Sequence, residues 1–307
     1  MAYLAIVDLG SNSTRMVVEK IEDDGTYTEV ERVKEDTRLS EGMGEALVLQ
    51  DFAIERVLQA LKNFQQIYQQ YPDVQIKAIA TAAVRQATNQ AAFLSRVKAE
   101  VGIDIHVLSG DDEAYYDYLG VEHTLAIEDA LLVDTGGASV ELILVKGGQK
   151  QALISVPFGA VSLSEKFNLH DAPSAQAVFQ ANRYVQAVYN HIEWLMSARQ
   201  LPIVLLGGAN RTLARMEQVQ TTGILGQNFH GFEMTANQAL DLFELLIQHD
   251  KAGRIVLPGL DANRADIILG GCIPLLNLIM TLATPKIIFS ESGVREGIIT
   301  EYMQQMK

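Results

Sequence analysis

Residues 3 to 7, YLAIV, form an unbroken apolar run that ends in Asp8 and the small polar turn GSNS, before apolar residues resume in TRMVVEKI. That pattern predicts a buried strand, a tight turn and a second strand. TYTEVERVKEDT continues in strand-like style, and EGMGEALVLQ reads as a Gly-containing loop. From Asp51 the period changes. Ile54, Val57, Leu58, Leu61, Phe64, Tyr68 and Tyr71 recur at steps of three and four, which predicts an amphipathic helix capped by Asp51. A strand (VQIKAIAT), a helix (NQAAFLSRVKAEVG) and a strand (IDIHVLS) follow. GDDEAYYDYLGVEHTL then reads as a helix whose opening acids suit the positive end of its dipole.

Near residue 126 the pattern starts again. DALLVDTGG and SVELILVK predict two strands around a small-residue turn, and KQALISVPFG a third. SAQAVFQANRYVQAVYNHIEWLMSA carries Val178, Ala181, Val185, Val188, Ile192 and Leu195 on one stripe, which predicts a helix capped by Ser174. PIVLLGGANRTLARM and PKIIFSESGVREGIITEYM each read as strand, turn and helix start. With Asp8 aligned on Asp134, Gly10 meets Gly136, Ser13 meets Ser139 and Lys20 meets Lys146. Both copies sit at the same place in a β-β-β-α-β-α-β order. The repeat predicts two similar α/β domains facing each other across a cleft, at residues 1–125 and 126–307, with the last helix, about 295–307, packing back on the first domain.

Composition narrows the class. The chain has 307 residues, 48% of them hydrophobic, enough for two ordinary cores. No apolar run reaches the length of a membrane span, and the N-terminus has no basic or cleavable apolar segment, so no secretory signal is expected. Cys272 is the only cysteine, which excludes an internal disulfide and fits a cytoplasmic setting. It reads as a small buried hydrophobe. A net charge of −14 argues against a nucleic-acid partner. Any polyanionic ligand must be met by local Arg residues, backbone N–H groups and a metal ion.

Turns made of small residues expose consecutive N–H groups and form concave anion sites. GSNS and GGAS both qualify. The acids at the strand ends, Asp8 and Asp134, would be poorly placed as lone buried charges. A divalent cation between carboxylate and phosphate removes that difficulty, and Mg2+ is the expected ion. A pair of plain hairpins remains the alternative on these residues alone.

The series DLGSNSTRMVV, ATAAVR, SGDDEAYYDYLGVEHT, DTGGASVEL, LLGGANRT and ESGVREGI resembles the motifs of the exopolyphosphatase and guanosine pentaphosphate phosphohydrolase family, in family order from residue 8 to residue 298. The resemblance implies two ribonuclease-H-like domains of the actin, Hsp70 and sugar-kinase superfamily. It also implies Mg2+ and hydrolysis of terminal phosphates from inorganic polyphosphate or guanosine pentaphosphate. By the same resemblance Glu113 is the catalytic base and Arg85 a phosphoryl clamp. Asp134 and Glu141 are metal ligands, with Asp8 a more distant or water-mediated one. Ser11, Asn12, Ser13, Arg15, Gly136, Gly137, Ala138, Ser139 and Gly208 are expected to bind phosphate. A homodimer with no membrane partner is also expected.

Arg38, Arg264 and Arg295 are weaker candidates. Arg264 is expected to pair with Asp266, and Arg295, at a helix start, calls for an anion nearby. The chain departs from the family at Ala138, in place of a third glycine, and at Ala209, in place of a hydroxyl that Asn210, Arg211 or Thr212 would have to replace. The absence of the further C-terminal domains of longer family members points to short polyphosphate as the preferred substrate. An ATP-dependent kinase of the same superfamily and a non-catalytic polyphosphate or alarmone sensor are the alternatives.

Overall fold

The structure, a computed structural model, describes residues 2–226 and 228–305. Met1, in the expected first domain, and Met306 and Lys307, at the end of the expected last helix, lie outside the described residues. Contacts divide the chain into two units, one up to Ser109 and one from Gly110 onward.

The first unit runs β1 (Ala2–Leu9), β2 (Thr14–Ile21), β3 (Tyr27–Glu35), α1 (Asp51–Tyr68), β4 (Gln75–Ala80), α2 (Ala82–Gln86), α3 (Gln90–Val101) and β5 (Ile105–Val107). Its sheet has the order β3-β2-β1-β4-β5. β1 pairs antiparallel with β2 and parallel with β4. Ala5, Val7 and Leu9 of β1 pack with the α1 stripe, and Ile54, Val57, Leu58, Leu61, Phe64 and Tyr68 are all buried, as their period predicts. The cap is a correction. Gln50 occupies the N-cap of α1 with no side-chain bond, and Asp51 lies one residue inside, where its charge complements the first-turn N–H groups. Tyr71 lies past the helix end and packs on Tyr3, with ring centroids 5.1 Å apart.

The second unit begins with α4 (Gly110–Glu122), then β6 (Ala130–Thr135), β7 (Val140–Lys146), β8 (Gln149–Val156), α5 (Ala160–Lys166), α6 (Ala175–Tyr189), β9 (Ile203–Leu206) and α7 (Gly208–Thr222). It continues through β10 (Glu233–Met234), α8 (Ala236–Ile247), α9 (Lys251–Ile255), α10 (Ile268–Leu282), β11 (Ile287–Phe289) and α11 (Val294–Gln305). Its sheet order is β10-β11-β9-β6-β7-β8. From β8 to β11 this repeats the first sheet strand for strand. The antiparallel pairs β6/β7 and β7/β8 match β1/β2 and β2/β3, and the parallel pairs β6/β9 and β9/β11 match β1/β4 and β4/β5.

Strand alternation sorts this second sheet into two faces. Leu131 and Val133 of β6, Leu142 and Leu144 of β7, and Ile203 and Leu205 of β9 point to a large core with α6, α7, α8 and α10. Ala130, Leu132, Ile143, Val145, Val204 and Leu206 point the other way, onto Ala114, Tyr118, Leu119 and Val121 of α4. That packing explains why the division falls after Ser109, whereas the repeat in the sequence suggested residue 125. α11 packs on α4, a helix that the sequence boundary assigned to the first half, and the Tyr116 hydroxyl donates to Glu301 at 3.0 Å.

Ser174 caps α6 as expected, accepting from the Ala177 N–H at 3.1 Å, but the helix ends at Tyr189 and a short 3-10 turn at Leu195–Ala198 continues the stripe. α10 was not anticipated. It is apolar and buried on nearly every side, so it shows no stripe, and it contains Pro274. Cys272 lies within it, buried as read, and burial pushes its thiol pKa up to about 12.

The crossing of α4 and α11 is tight. A Cβ on Gly120 would strike the backbone of Gly293, with its carbonyl carbon 3.0 Å away. Inside a free helix Ala is favoured over Gly by about 1 kcal/mol. In this helix Gly120→Ala should instead lower stability by about 1–3 kcal/mol, because the obstacle is backbone. Chemical denaturation at matched slope checks this, and a stabilised variant would show that the helices part without cost.

Candidate active site and metal centre

The two turns of the repeat have the same geometry. In the first, Asp8 pairs across the ladder with Arg15 and Leu9 with Thr14; in the second, Asp134 pairs with Glu141 and Thr135 with Val140. Gly10 donates to the Ser13 carbonyl at 3.1 Å, and Gly136 donates to the Ser139 carbonyl at 3.0 Å. None of residues 136–139 adopts a left-handed φ. Ala138 therefore meets no backbone penalty for replacing a glycine, and that departure is accommodated.

Each turn is gripped by its carbonyls. Gly136 O accepts from Ala160 N at 2.9 Å and Gly137 O from Val161 N at 2.8 Å, both at the start of α5. Gly159 fits there because a Cβ would press on the turn backbone, 2.6 Å from Gly136 O. Across a planar trans peptide the N–H points opposite to the C=O, so the Gly137 and Ala138 N–H groups face away from α5. In the first turn, Ser11 O accepts from Ser40 N at 3.0 Å and Asn12 O from Arg38 N at 2.9 Å. The Asn12 and Ser13 N–H groups are thereby turned away from that loop. Arg38 makes this contact with a left-handed φ of 46°.

The charges beside the turns differ. Asp8, with its Oδ1 buried, faces Arg15. Burial raises the Asp8 pKa, and the Arg15 charge opposes that rise. At the equivalent rung the second repeat sets two acids opposite each other. Asp134 and Glu141 both lie on the α4 side of the sheet by alternation, and α4 adds Glu113 and, one turn later, Asp117. Carboxylate oxygens of Asp117, Asp134 and Glu141 lie within 4.8 Å of one another. Asp117 is fully buried at 0% exposure, Glu141 stands at 1% and Glu113 at 7%.

Burial, and then the charges of neighbouring acids, push the pKa of Asp117 well up. Glu141 is raised the same way, although Ser155 Oγ donates to its Oε1 at 2.7 Å. Neither oxygen of Asp117 has a hydrogen-bond partner among the described residues. The nearby Val294 N–H favours its charged form but is the weakest of the influences on it. Such a donor set, oxygen-only and anionic, suits a hard divalent cation.

Sequence reasoning brought Asp134, Glu141 and Glu113 to this place and missed Asp117. The available signal was its spacing, four residues after Glu113 and so on the same helix face. Arg85 is half-buried on α2, and its Nη1 donates to Leu108 O at 2.9 Å. It lies, with Asp8, Ser11, Asn12, Ser13 and Arg15, in the first unit. Gly136, Gly137, Ala138, Ser139 and Gly208 lie with the acids in the second. Gly207, at φ 88°, can only be glycine: a Cβ would strike Asp134 Oδ1 and sit 2.7 Å from Thr135 O. The β9–α7 turn thus fixes the Asp134 carboxylate from behind. Arg264 packs on Gly208, with its Nε 3.8 Å from Asp261.

Asp266 lies 3.6 Å from Lys251, and Arg295 has an anion beside it in its neighbour Glu296, which accepts from Arg295 Nε at 2.6 Å. Ala209 faces Gly271 of α10, where a second Cβ would already be 2.6 Å away. A larger residue at 209 would separate the helices. Asn210 is buried and donates to Leu206 O, and Thr212 Oγ1 donates to Gly208 O at 3.1 Å. Both therefore serve the helix start.

Two mixed sheets of like order, each with helices and a small-residue turn after its first strand, define the two-domain actin-like α/β fold. The model of the Ppx/GppA phosphatase family matches residues 17–306. The chain belongs to that family. A crystal structure of the Aquifex aeolicus family member is 30% identical, with TM-score 0.80, over 100% of this chain and 99% of that one. An exopolyphosphatase from Cytophaga hutchinsonii shares the fold at 23% identity and TM-score 0.90, over 99% of each chain.

Because Asp117 and Glu141 keep their protons to higher pH when folded, the folded state binds more protons than the unfolded chain above the ordinary carboxylate range. Stability of the metal-free protein from these groups is therefore greatest at low pH. It falls as pH rises toward the raised folded values. Asp117→Asn should remove part of this fall. Melting curves in chelator from about pH 4 upward should show wild type losing ground to the variant as pH rises. Parallel curves would show that Asp117 carries no such strain.

Proposed function

We propose that this family member is a Mg2+-dependent exopolyphosphatase that removes terminal phosphates from inorganic polyphosphate. Guanosine pentaphosphate, which ends in the same kind of phosphoanhydride, is the second substrate class. The observation that carries the reading is the convergence of four acids, Glu113, Asp117, Asp134 and Glu141, beside a turn whose Gly137 and Ala138 N–H groups face away from the supporting helix.

Asp134 and Glu141 are assigned to hold Mg2+, with Asp8 a more distant acid. When bound, the ion neutralises phosphate charge and polarises the phosphorus–oxygen bonds. Glu113 is assigned to orient the attacking water and take its proton. A carboxylate in this largely buried setting can act as a base toward water held within hydrogen-bond reach. The turn N–H groups, with Ser139 and Gly208, are assigned to phosphate oxygens, as are Ser11, Asn12, Ser13 and Arg15 of the first repeat. Arg85 supplies a planar, forked donor suited to a phosphoryl group. The net charge of −14 and the lack of a Lys/Arg run leave a long polyanion few contacts beyond these groups. This supports a preference for short chains.

Phosphate release from short polyphosphate, long polyphosphate and guanosine pentaphosphate, with Mg2+ and with chelator, tests the reading. Release only with Mg2+ is expected. Phosphate transfer from ATP to a sugar would instead indicate a kinase, and tight binding without release a sensor.

Glu113→Gln keeps the shape and deletes the base. It should lower kcat by about 10²- to 10⁴-fold while leaving polyphosphate binding intact. A variant within a few-fold of wild type would reduce Glu113 to an ordinary acid at a helix start.

A further inference from the structure

Asp117 is given no role of its own in the reading above, yet it is the most deeply buried of the four acids. It sits on α4 one turn beyond Glu113, beside Gly293 at the start of α11. A Cβ on Gly293 would lie 3.0 Å from Asp117 Oδ1 and 3.4 Å from a Leu206 methyl. Neither Asp117 oxygen has a hydrogen-bond partner among the described residues, the Val294 N–H being the donor nearby. A buried polar group left unpaired is destabilising, and more so if charged. An aliphatic side chain would pack this site at no such cost.

The position of the carboxylate accounts for its presence. One of its oxygens falls within 4.8 Å of an oxygen from Asp134 and one from Glu141. Around an octahedral cation with oxygen ligands at about 2.1 Å, neighbouring ligands stand about 3 Å apart and opposite ones about 4 Å apart. The 4.8 Å limit on the three oxygens is within reach of those distances. The equivalent rung of the first repeat holds the Asp8–Arg15 pair instead of two acids, so only the second repeat gathers anionic oxygens alone.

We propose that Asp117 is a third protein ligand of the divalent cation, so that the protein holds its ion before any phosphate arrives. The proposal rests on the assignment of Asp134 and Glu141 as metal ligands. Mg2+ is commonly held by one or two carboxylates plus the phosphates of the substrate, and such a site fills together with substrate. Three carboxylates supply half of an octahedron from one unit of the protein. The remaining positions would be left to water and to phosphate oxygens. The ion is then a resident part of the enzyme.

Mn2+ titration followed by electron paramagnetic resonance, in buffer free of phosphate, tests this on the whole chain. Wild type should bind one Mn2+ that Mg2+ displaces. Broadening by 17O-labelled water should count about three bound waters, the octahedral complement of three protein ligands. Asp117→Asn, and Asp117→Leu as a second variant, should weaken binding by about 10-fold or more, the scale seen even for groups that only support a ligand. Cooperative melting establishes that each variant is folded.

Asp134→Asn serves as the reference for a lost ligand. If Asp134→Asn abolishes binding while both Asp117 variants match wild type, Asp117 is not a ligand and the proposal falls alone. A count of four or more waters in wild type overturns it without recourse to any variant. Binding that appears only when polyphosphate is added overturns the resident ion. If wild type binds no Mn2+ with or without polyphosphate, the metal-dependent reading of the site falls as well.

Discussion

Negative charge gathered where water is excluded is the constraint on which this structure turns. Asp134 and Glu141 lie opposite each other on one rung of a ladder, where like charges repel, and α4 presses two more acids onto them. The rest of the second unit holds this unfavourable set in place. Strand alternation aims both acids at α4. Gly207 blocks any retreat of Asp134, and Ser155 tethers Glu141. The close crossing of α4 and α11 at Gly120 and Gly293 fixes the depth of the helix. A large apolar core on the far face of the sheet supplies the stability that this arrangement consumes.

The comparison of the two repeats isolates the variable that matters. Their strand order, turn length and turn hydrogen bonds agree. They differ in the residue seven positions after the leading acid, Arg15 in one and Glu141 in the other. The first turn carries its counter-charge within the chain, and the second has the composition of a site that takes its counter-charge from an ion.

Much of this was legible in the sequence because the signals were local. Apolar runs ending in an acid and a small turn located β1 and β6, the three-and-four spacing located α1 and α6, and the repeated turn located Asp134, while Glu141 came from the family resemblance. What the sequence hid depended on packing between distant segments. α10 is apolar on nearly every side and so has no period to detect. Asp117 looks like one more acid on an acidic helix until the sheet beneath it is known. The cap of α1 falls at Gln50, one residue before the acid that seemed placed for it. Ala209 looked like a lost phosphate contact, and its small size instead serves the contact with α10. Glu296, a partner of Arg295, is its immediate neighbour, close in sequence but recognisable only once its side chain has a direction.

The placement of α4 bears on how this protein can be taken apart. The repeat invites a cut near residue 125, yet the helix before that point covers Leu132, Ile143, Val145, Val204 and Leu206. A fragment starting at the repeat would keep its sheet and its turn but bare a greasy face on the very side where Asp134 and Glu141 stand. It would tend to stick to itself in solution. Dissection of the chain for expression, crystallisation or domain exchange should therefore carry α4 and α11 with the second sheet as one piece.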